Sequence, residues 1–475
     1  MQSESPASPF SNEWLEGADN LLLKGAAIIS MDDQVGNLEK GDILIRNGRI
    51  EAIAPSLTIS VGETLDLQGR IICPGFVDCH RHGWEAQLRH LNPNSDTLAD
   101  YCCATHFSFA RAYRPVDNYI GNILTAIGGI DAGITTFIDN NHNARTDDHA
   151  SAGLQAWLDS GVRAIYAPGP PLTGQWDLAG WPHSRLNHLQ AQVDAARTPR
   201  VTLAVMAQFL PDVWAAARER GLPIVSEVPS PDLAGIIREF DARGLLGPDN
   251  IFNHITALPA DVLAILQKRG VRVNVCPRSD AQYGIGDGGM GSFQAAVDAG
   301  LTPAFSIDNE TSYGGDMFGE MRTEFYLQRA MTQQQRFKGD KPVPAPLTVR
   351  QALEAATLGG ARCAGLTHET GSLSPGKSAD LIAVKADDLN LFPLNNAYGA
   401  IVHGAERANI DMVIIEGKIR KRDGIVVGLD QAKLKTMVAA SRNFLMNAVG
   451  YAPNMFCDYH HELVREIPEM NRFWT

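Results

Sequence analysis

Residues 74–82 read Pro74-Gly75-Phe76-Val77-Asp78-Cys79-His80-Arg81-His82, a short apolar run that ends in an acid and two histidines one residue apart. Side chains alternate along an extended strand, so the spacing predicts Asp78, His80 and His82 on one face. Two imidazoles on a shared face can hold one metal ion, provided further ligands arrive from elsewhere in the chain. Without such ligands the same pair would only cap a strand end and hydrogen-bond locally. The choice between the two rests on the residues downstream.

Beyond this stretch, strand and helix patterns alternate. Candidate strands are Phe76–His80, Ile134–Asp139, Val162–Ala167, Val201–Ala207, Leu222–Val228, Ile251–Thr256, Val271–Cys276 and Thr302–Asp308. Helical stretches separate them. Two of these, from Pro211 and from Pro259, begin on a proline suited to a first turn and stop at Gly221 and Gly270. Eight βα units in roughly 250 residues is the expected length of a (β/α)8 TIM barrel. A doubly wound open sheet is the competitor, but it usually carries a Gly-rich phosphate turn after its first strand, and this chain has none there.

The flanks differ in style. Leu21 to Met31 and Asp42 to Ile53 have strand patterns, the second turning at Asn47-Gly48, a hairpin signal. The same style returns at Ala379–Val384 and at Ile410–Ile415, which runs through Glu416-Gly417 into Lys418 and Ile419. We therefore expect a small β-sandwich domain built from both chain ends (18–73 plus 371–430), a catalytic barrel (74–370) and a C-terminal helical extension (431–475). A Thr348-x-x-Gln351 capping box opens a helix after the barrel. His460-His461-Glu462 fits a surface or subunit contact better than a metal site.

Composition narrows the function classes. Hydrophobic residues make up 44%, ordinary for a globular protein able to bury a large core. A net charge of −13 and an isoelectric point near 5.5 argue against nucleic acid or an anionic membrane as partner. The first seventeen residues lack a basic stretch followed by an apolar one, and no apolar run approaches a membrane span. Seven scattered cysteines without a Cys-x-x-Cys pair suit reduced thiols, so a cytoplasmic enzyme is expected.

Barrels of this kind carry their chemistry at the C-terminal ends of the strands. Those ends hold His80 and His82, Asp139-Asn140-Asn141-His142, Ser226-Glu227, Asn253-His254, Cys276-Pro277-Arg278-Ser279-Asp280 and Asp308-Asn309-Glu310. Any one could be structural, but together they form a polar rim.

Pro74 to His82, His254 with Leu258-Pro259-Ala260-Asp261, and Ser306-Ile307-Asp308 resemble the amidohydrolase superfamily, in its cytosine deaminase-like and triazine hydrolase branch. Gly371 to Leu381 is similar to that branch's return to its small β domain. The resemblance covers roughly residues 20 to 430. It implies that His80 and His82 are first-strand metal ligands and that His254 is a ligand or a water-orienting group. Asp308 would bind the metal and take a proton from the attacking water.

Two positions depart from the branch. Glu227 stands where the fifth-strand histidine ligand is expected, and Ser230 stands where deaminases carry a glutamate that protonates the ring. A carboxylate is a harder donor than imidazole, so Glu227 as ligand would shift preference from zinc toward iron or manganese. Alternatively Glu227 is the proton shuttle. The carboxylated lysine that bridges metal pairs in the superfamily has no counterpart, since Lys268 is the sole lysine between Ile43 and Phe337 and lies mid-helix. The expectation is one divalent ion, zinc by resemblance, and hydrolysis of a C–N bond other than a peptide bond in a cyclic or heteroaromatic small molecule, by deamination or opening of a cyclic amide. His142 or Glu227 would protonate the leaving nitrogen. A lyase, decarboxylase or isomerase on the same barrel is the alternative, and a non-catalytic binding protein a third. Trp84, Arg89, Phe107, Trp176, Trp181 and Tyr283 could line the mouth or pack the loops, and the resemblance implies a dimer or larger homo-oligomer.

Overall fold

The computed structural model describes residues 8–11, 14, 20–285, 291–456 and 469–471. His460-His461-Glu462 lie outside them. Five strands precede the barrel: β1 (Asn20–Ile28), β2 (Leu38–Arg46), β3 (Arg49–Ala54), β4 (Glu63–Asp66) and β5 (Arg70–Pro74). The β2–β3 hairpin turns at Asn47 and Gly48, both at positive φ (49° and 77°), the backbone a two-residue type I′ turn requires.

The barrel strands are β6 (Phe76–Arg81), β7 (Ile134–Asn141), β8 (Arg163–Pro168), β9 (Val201–Leu203), β10 (Val205–Met206), β11 (Ile224–Glu227), β12 (Asn250–Asn253), β13 (Arg272–Val275) and β14 (Ala304–Phe305). All pair in parallel, as sheets of four (β6-β7-β8-β9) and five (β10-β11-β12-β13-β14). β9 and β10 are separated by Ala204 alone, whose N–H donates to Tyr166 O (2.9 Å) while Val205 N–H donates to Pro223 O (2.9 Å). On the far side Asp308 N–H donates to His80 O (2.8 Å) and His82 N–H to Asp308 O (2.7 Å). This is a TIM-barrel-type α/β fold, with each expected strand in place. Val77, Cys79, Ile138, Ile165, Met206, Val225 and Ile251 fill its floor, against Cys363 and Ala364 of the helix Leu358–Ala364.

Local chemistry accounts for the helices between strands. Pro211 opens one that ends at Arg218, and Gly270, at φ 69°, terminates Ala260–Arg269. Thr348 and Gln351 form the expected reciprocal cap. Lys268 is exposed on the helix Ala260–Arg269, so among the described residues no lysine lies on a strand of either parallel sheet.

After the barrel come β15 (Leu381–Lys385), β16 (Ile410–Ile415), β17 (Lys418–Arg422) and β18 (Ile425–Val426). They join the N-terminal strands in one hydrogen-bonded nine-stranded sheet of order β18-β17-β16-β15-β5-β1-β2-β3, with β4 beside β1. β5 and β15 form the seam, Ile72 opposite Ala383. The sheet has a core of its own, including Leu21, Ile43, Ile72, Leu381 and Ile414. The two hairpin turns of opposite chain ends touch: a Cβ on Gly48 would lie 2.8 Å from Glu416 O, and one on Gly417 2.6 Å from the Gly48 Cα. A helix, Gln431–Val449, comes after the sheet. Among the described residues no helix is long and apolar enough to cross a membrane.

Candidate active site

Strict alternation would group Asp78 with His80 and His82, and here the structure corrects the sequence. Asp78 pairs with Phe137 and Arg81 with Asp139, so β6 carries one residue more than β7 between those points. Such a bulge re-aims side chains. Val77 and Cys79 join the barrel floor, whereas Asp78 Oδ2 accepts from Arg81 Nε (2.7 Å) and Oδ1 from Ile307 N–H (3.0 Å). Arg81 Nη1 donates to Glu310 Oε1 (2.7 Å), so a buried Asp78–Arg81–Glu310 triplet braces β6 against the segment after β14.

Six side chains named from the sequence converge at the strand ends. His80 Nε2 lies 3.1 Å and His82 Nε2 3.2 Å from Asp308 Oδ1. Glu227, at the end of β11, places Oε2 3.5 Å from both His80 Nε2 and His254 Nε2, and Oε1 3.6 Å from His142 Nε2. All six are buried. His254 and Asp308 sit at φ 66° and 73°, left-handed backbone that costs a non-glycine residue roughly 1–3 kcal/mol and gathers at functional sites.

A second layer orients these groups. His82 Nδ1 meets Asn140 O (2.9 Å), which places its proton there and turns the Nε2 lone pair toward the centre. His80 Nδ1 contacts the side-chain amides of Asn140 and Asn253, the latter at 3.0 Å. Asp308 Oδ2 accepts from Ser279 Oγ (2.6 Å) and Asn309 Nδ2 (3.2 Å), leaving Oδ1 to the histidines. His254 Nδ1 is held by Asp280 Oδ1 at 2.7 Å.

The electrostatics are those of a centre that demands positive charge. Against burial, the His80 and His82 imidazoles keep Asp308 well below the usual carboxylate range, and His80 and His142 do the same for Glu227. Burial would favour neutral rings, yet Asp308 carries His82 up to about 10 and Asp280 carries His254 up to about 9. Burial wins at His142, which falls to about 4. Three overlapping sets present ligand atoms within 4.8 Å of one another: His80, His82 and Asp308; His82, His142 and Glu227; His80, His254 and Cys276. His80 Nε2 is buried and makes no hydrogen bond, although Asp308 is near. Imidazole nitrogens and carboxylates around such an atom fit a divalent metal ion.

Matching to the amidohydrolase family extends over residues 71–420. The chain belongs to the amidohydrolase family. A 5'-deoxyadenosine deaminase of Methanosarcina mazei is 25% identical over 434 residues, spanning 87% of this chain and 96% of its own. An adenosine deaminase from Xanthomonas campestris with bound zinc superposes with a TM-score of 0.78 at 22% identity, over 90% of this chain and 98% of its own. A triazine hydrolase from Arthobacter aurescens gives 0.76 at 21%, over 90% and 99%. As an amidohydrolase, the protein is a hydrolase of C–N bonds other than peptide bonds.

Ser230 is not at the centre; its Oγ accepts from Asp232 N–H (3.1 Å) and caps a turn. Of the aromatic residues considered for the mouth, Trp84 is fully buried against His106 and Tyr113, and Trp176 packs on Trp181. Sequence reasoning missed His106, which packs on His82 and His142, and Glu85 and Tyr101, which contact His106 from behind. They lie between strands, where no periodic signal marks a side chain as inward-facing.

Proposed function

We propose that this amidohydrolase deaminates a small amino-substituted heterocycle. The observation that carries it is the convergence of His80, His82, His254 and Asp308 at the ends of the first, sixth and eighth strands, with Glu227 among them. Relatives matched over most of their length, among them deaminases of 5'-deoxyadenosine, support an aminopurine-like ring as substrate.

His80, His82, His254, Asp308 and Glu227 would hold one divalent ion. Bound there, the ion supplies Lewis acidity and brings the pKa of a water to about 7 if it is zinc. Asp308, fixed through Oδ2 by Ser279 and Asn309, accepts the water's proton at Oδ1. The oxygen adds to the ring carbon and the C–N bond breaks. Asp308 then releases that proton toward the departing nitrogen, with Glu227 Oε1 and His142 Nε2, 3.6 Å apart, as the relay in place of the glutamate absent at Ser230. The sum is heterocycle–NH2 plus water giving heterocycle–OH plus ammonia. Glu227 as a ligand favours a harder ion than zinc, so iron and manganese are the other candidates.

A screen for ammonia release from aminopurine nucleosides, aminopyrimidines and aminotriazines, alongside elemental analysis, tests this. His80→Ala should lose both bound metal and turnover; full activity of a metal-free His80→Ala protein refutes it. Glu227 at a ligand position also favours a second scheme, a lyase, decarboxylase or isomerase. It would leave label from heavy-oxygen water out of the product.

We also read the two parallel sheets as one closed eight-stranded barrel, supported by the Ala204 and Asp308 hydrogen bonds, and the nine-stranded sheet as the centre of a separate small domain.

A further inference from the structure

Beside the centre lies a group of side chains that the hydrolytic scheme does not use. Glu85, in the turn Gly83–Leu88 after the first barrel strand, is fully buried. Tyr101 Oη donates to its Oε1 at 2.8 Å, and Oε2 has no partner. Tyr101 stacks on Tyr283 (5.5 Å between centroids), whose hydroxyl meets Ser312 Oγ at 2.8 Å. His106 completes the set: its Nε2 lies 3.3 Å from Tyr101 Oη and 3.5 Å from Glu85 Oε1. The ring packs edge-to-face on His142 (5.3 Å), His82 (5.9 Å) and Trp84 (5.3 Å).

A phenol has one proton to donate. Tyr101 gives it to Glu85, so toward His106 its oxygen can only accept. That places the imidazole proton on Nε2 and leaves a lone pair on Nδ1, the tautomer being set by the partner of the other nitrogen. Nδ1 takes no hydrogen bond from any described residue. A buried imidazole whose acceptor nitrogen is left open beside a reaction centre is a recognition element for a donor.

We propose that His106 is a substrate-binding residue of this centre, its Nδ1 accepting a hydrogen bond from an N–H of the amino-heterocycle. The assignment rests on the deaminase proposal above and adds a selectivity to it: substrates with a donor at that edge are accepted, and those without one are penalised, because the acceptor then faces the ligand without a partner. Tyr101 and Glu85 are positioning residues that act through His106.

The test uses the full chain labelled with 15N-histidine, with adenosine as probe. His106, assigned by comparison with His106→Phe, should show a protonated Nε2 and a bare Nδ1 at neutral pH. Added adenosine should move the Nδ1 resonance in the direction of an accepted hydrogen bond. Tyr101→Phe should mix the tautomers and blunt that response. In turnover, His106→Phe should raise KM for adenosine about 10-fold or more with kcat nearly unchanged, and leave KM for the N6,N6-dimethyl analogue where it was. A proton on Nδ1, an Nδ1 resonance indifferent to adenosine, or equal losses for both compounds overturns the assignment. If Nδ1 responds to adenosine but the wild-type protein releases no ammonia, the deaminase proposal falls and the His106 assignment stands.

Discussion

Asp280 Oδ1 holds His254 Nδ1 at 2.7 Å, and this contact fixes which nitrogen of His254 faces the centre. A carboxylate behind an imidazole raises its basicity and locks its orientation, and loss of such a partner typically costs 10- to 100-fold in metal affinity. Asp280→Asn should therefore weaken metal retention by about that factor, read by competition with a chromophoric chelator. Unchanged affinity would show that His254 orients a group other than the metal.

Glu227 turns one oxygen toward His80 and His254 and the other toward His142. In Glu227→Gln the shape stays and the charge goes, so less metal should survive dialysis. Glu227→His restores imidazole at that point. Loaded from an equimolar mixture of zinc and manganese, it should carry more zinc than the wild type by elemental analysis.

Arg81 lies fully buried between Asp78 and Glu310. Arg81→Met leaves Asp78 without its cation and Glu310 with Arg89 alone, and breaking a buried pair in this way costs about 3–5 kcal/mol. Gly315→Ala should also destabilise the protein, since its Cβ would fall 1.7 Å from Glu310 Oε1. Both should lower the urea midpoint, and a midpoint within error of wild type for Arg81→Met would show that the triplet does not stabilise the fold.

Glu324, on the helix Met317–Lys338, is buried, and burial with the like charges of Asp280 and Glu320 pushes its carboxyl up to about 8. An unfolded glutamate titrates near 4.3, so between those values the folded chain holds a proton that the unfolded chain has released. Stability from this group is therefore lost as pH rises from about 4.5 to 8 and is level above. Glu324→Gln stays neutral throughout. It should match wild type near pH 4 and exceed it by on the order of 1–3 kcal/mol at pH 8.5, in denaturation midpoints across that range.

Much of this was legible in the residues. Apolar runs of strand length, each leading to a helix with its own start and stop, mark a strand at each of the eight expected positions, the fourth of them split into β9 and β10, because those signals are local. The hairpins at Asn47-Gly48 and Glu416-Gly417 are local too. Their union in one sheet through β5 and β15 is not, since nothing in either segment names a partner about three hundred residues away. At the centre, histidines and acids at strand ends identify His80, His82, His142, Glu227, His254 and Asp308. Alternation failed at Asp78, where one extra residue in β6 reverses the face. It was silent on Glu85, Tyr101 and His106, which approach through the loop and helix after the first strand.

The seam between β5 and β15 also bears on the order in which the molecule can be made. Strands β1 to β5 leave the ribosome first, yet β5 has only β1 beside it until β15 is synthesised. Until then the edge of β5, with Ile71, Ile72 and Cys73, stands open while the whole barrel is translated. Such an unpaired apolar edge invites pairing with another nascent chain. The barrel is in this sense a very long insertion into a hairpin, and the edge of β5 stays open until β15, about four-fifths of the way along the sequence, emerges.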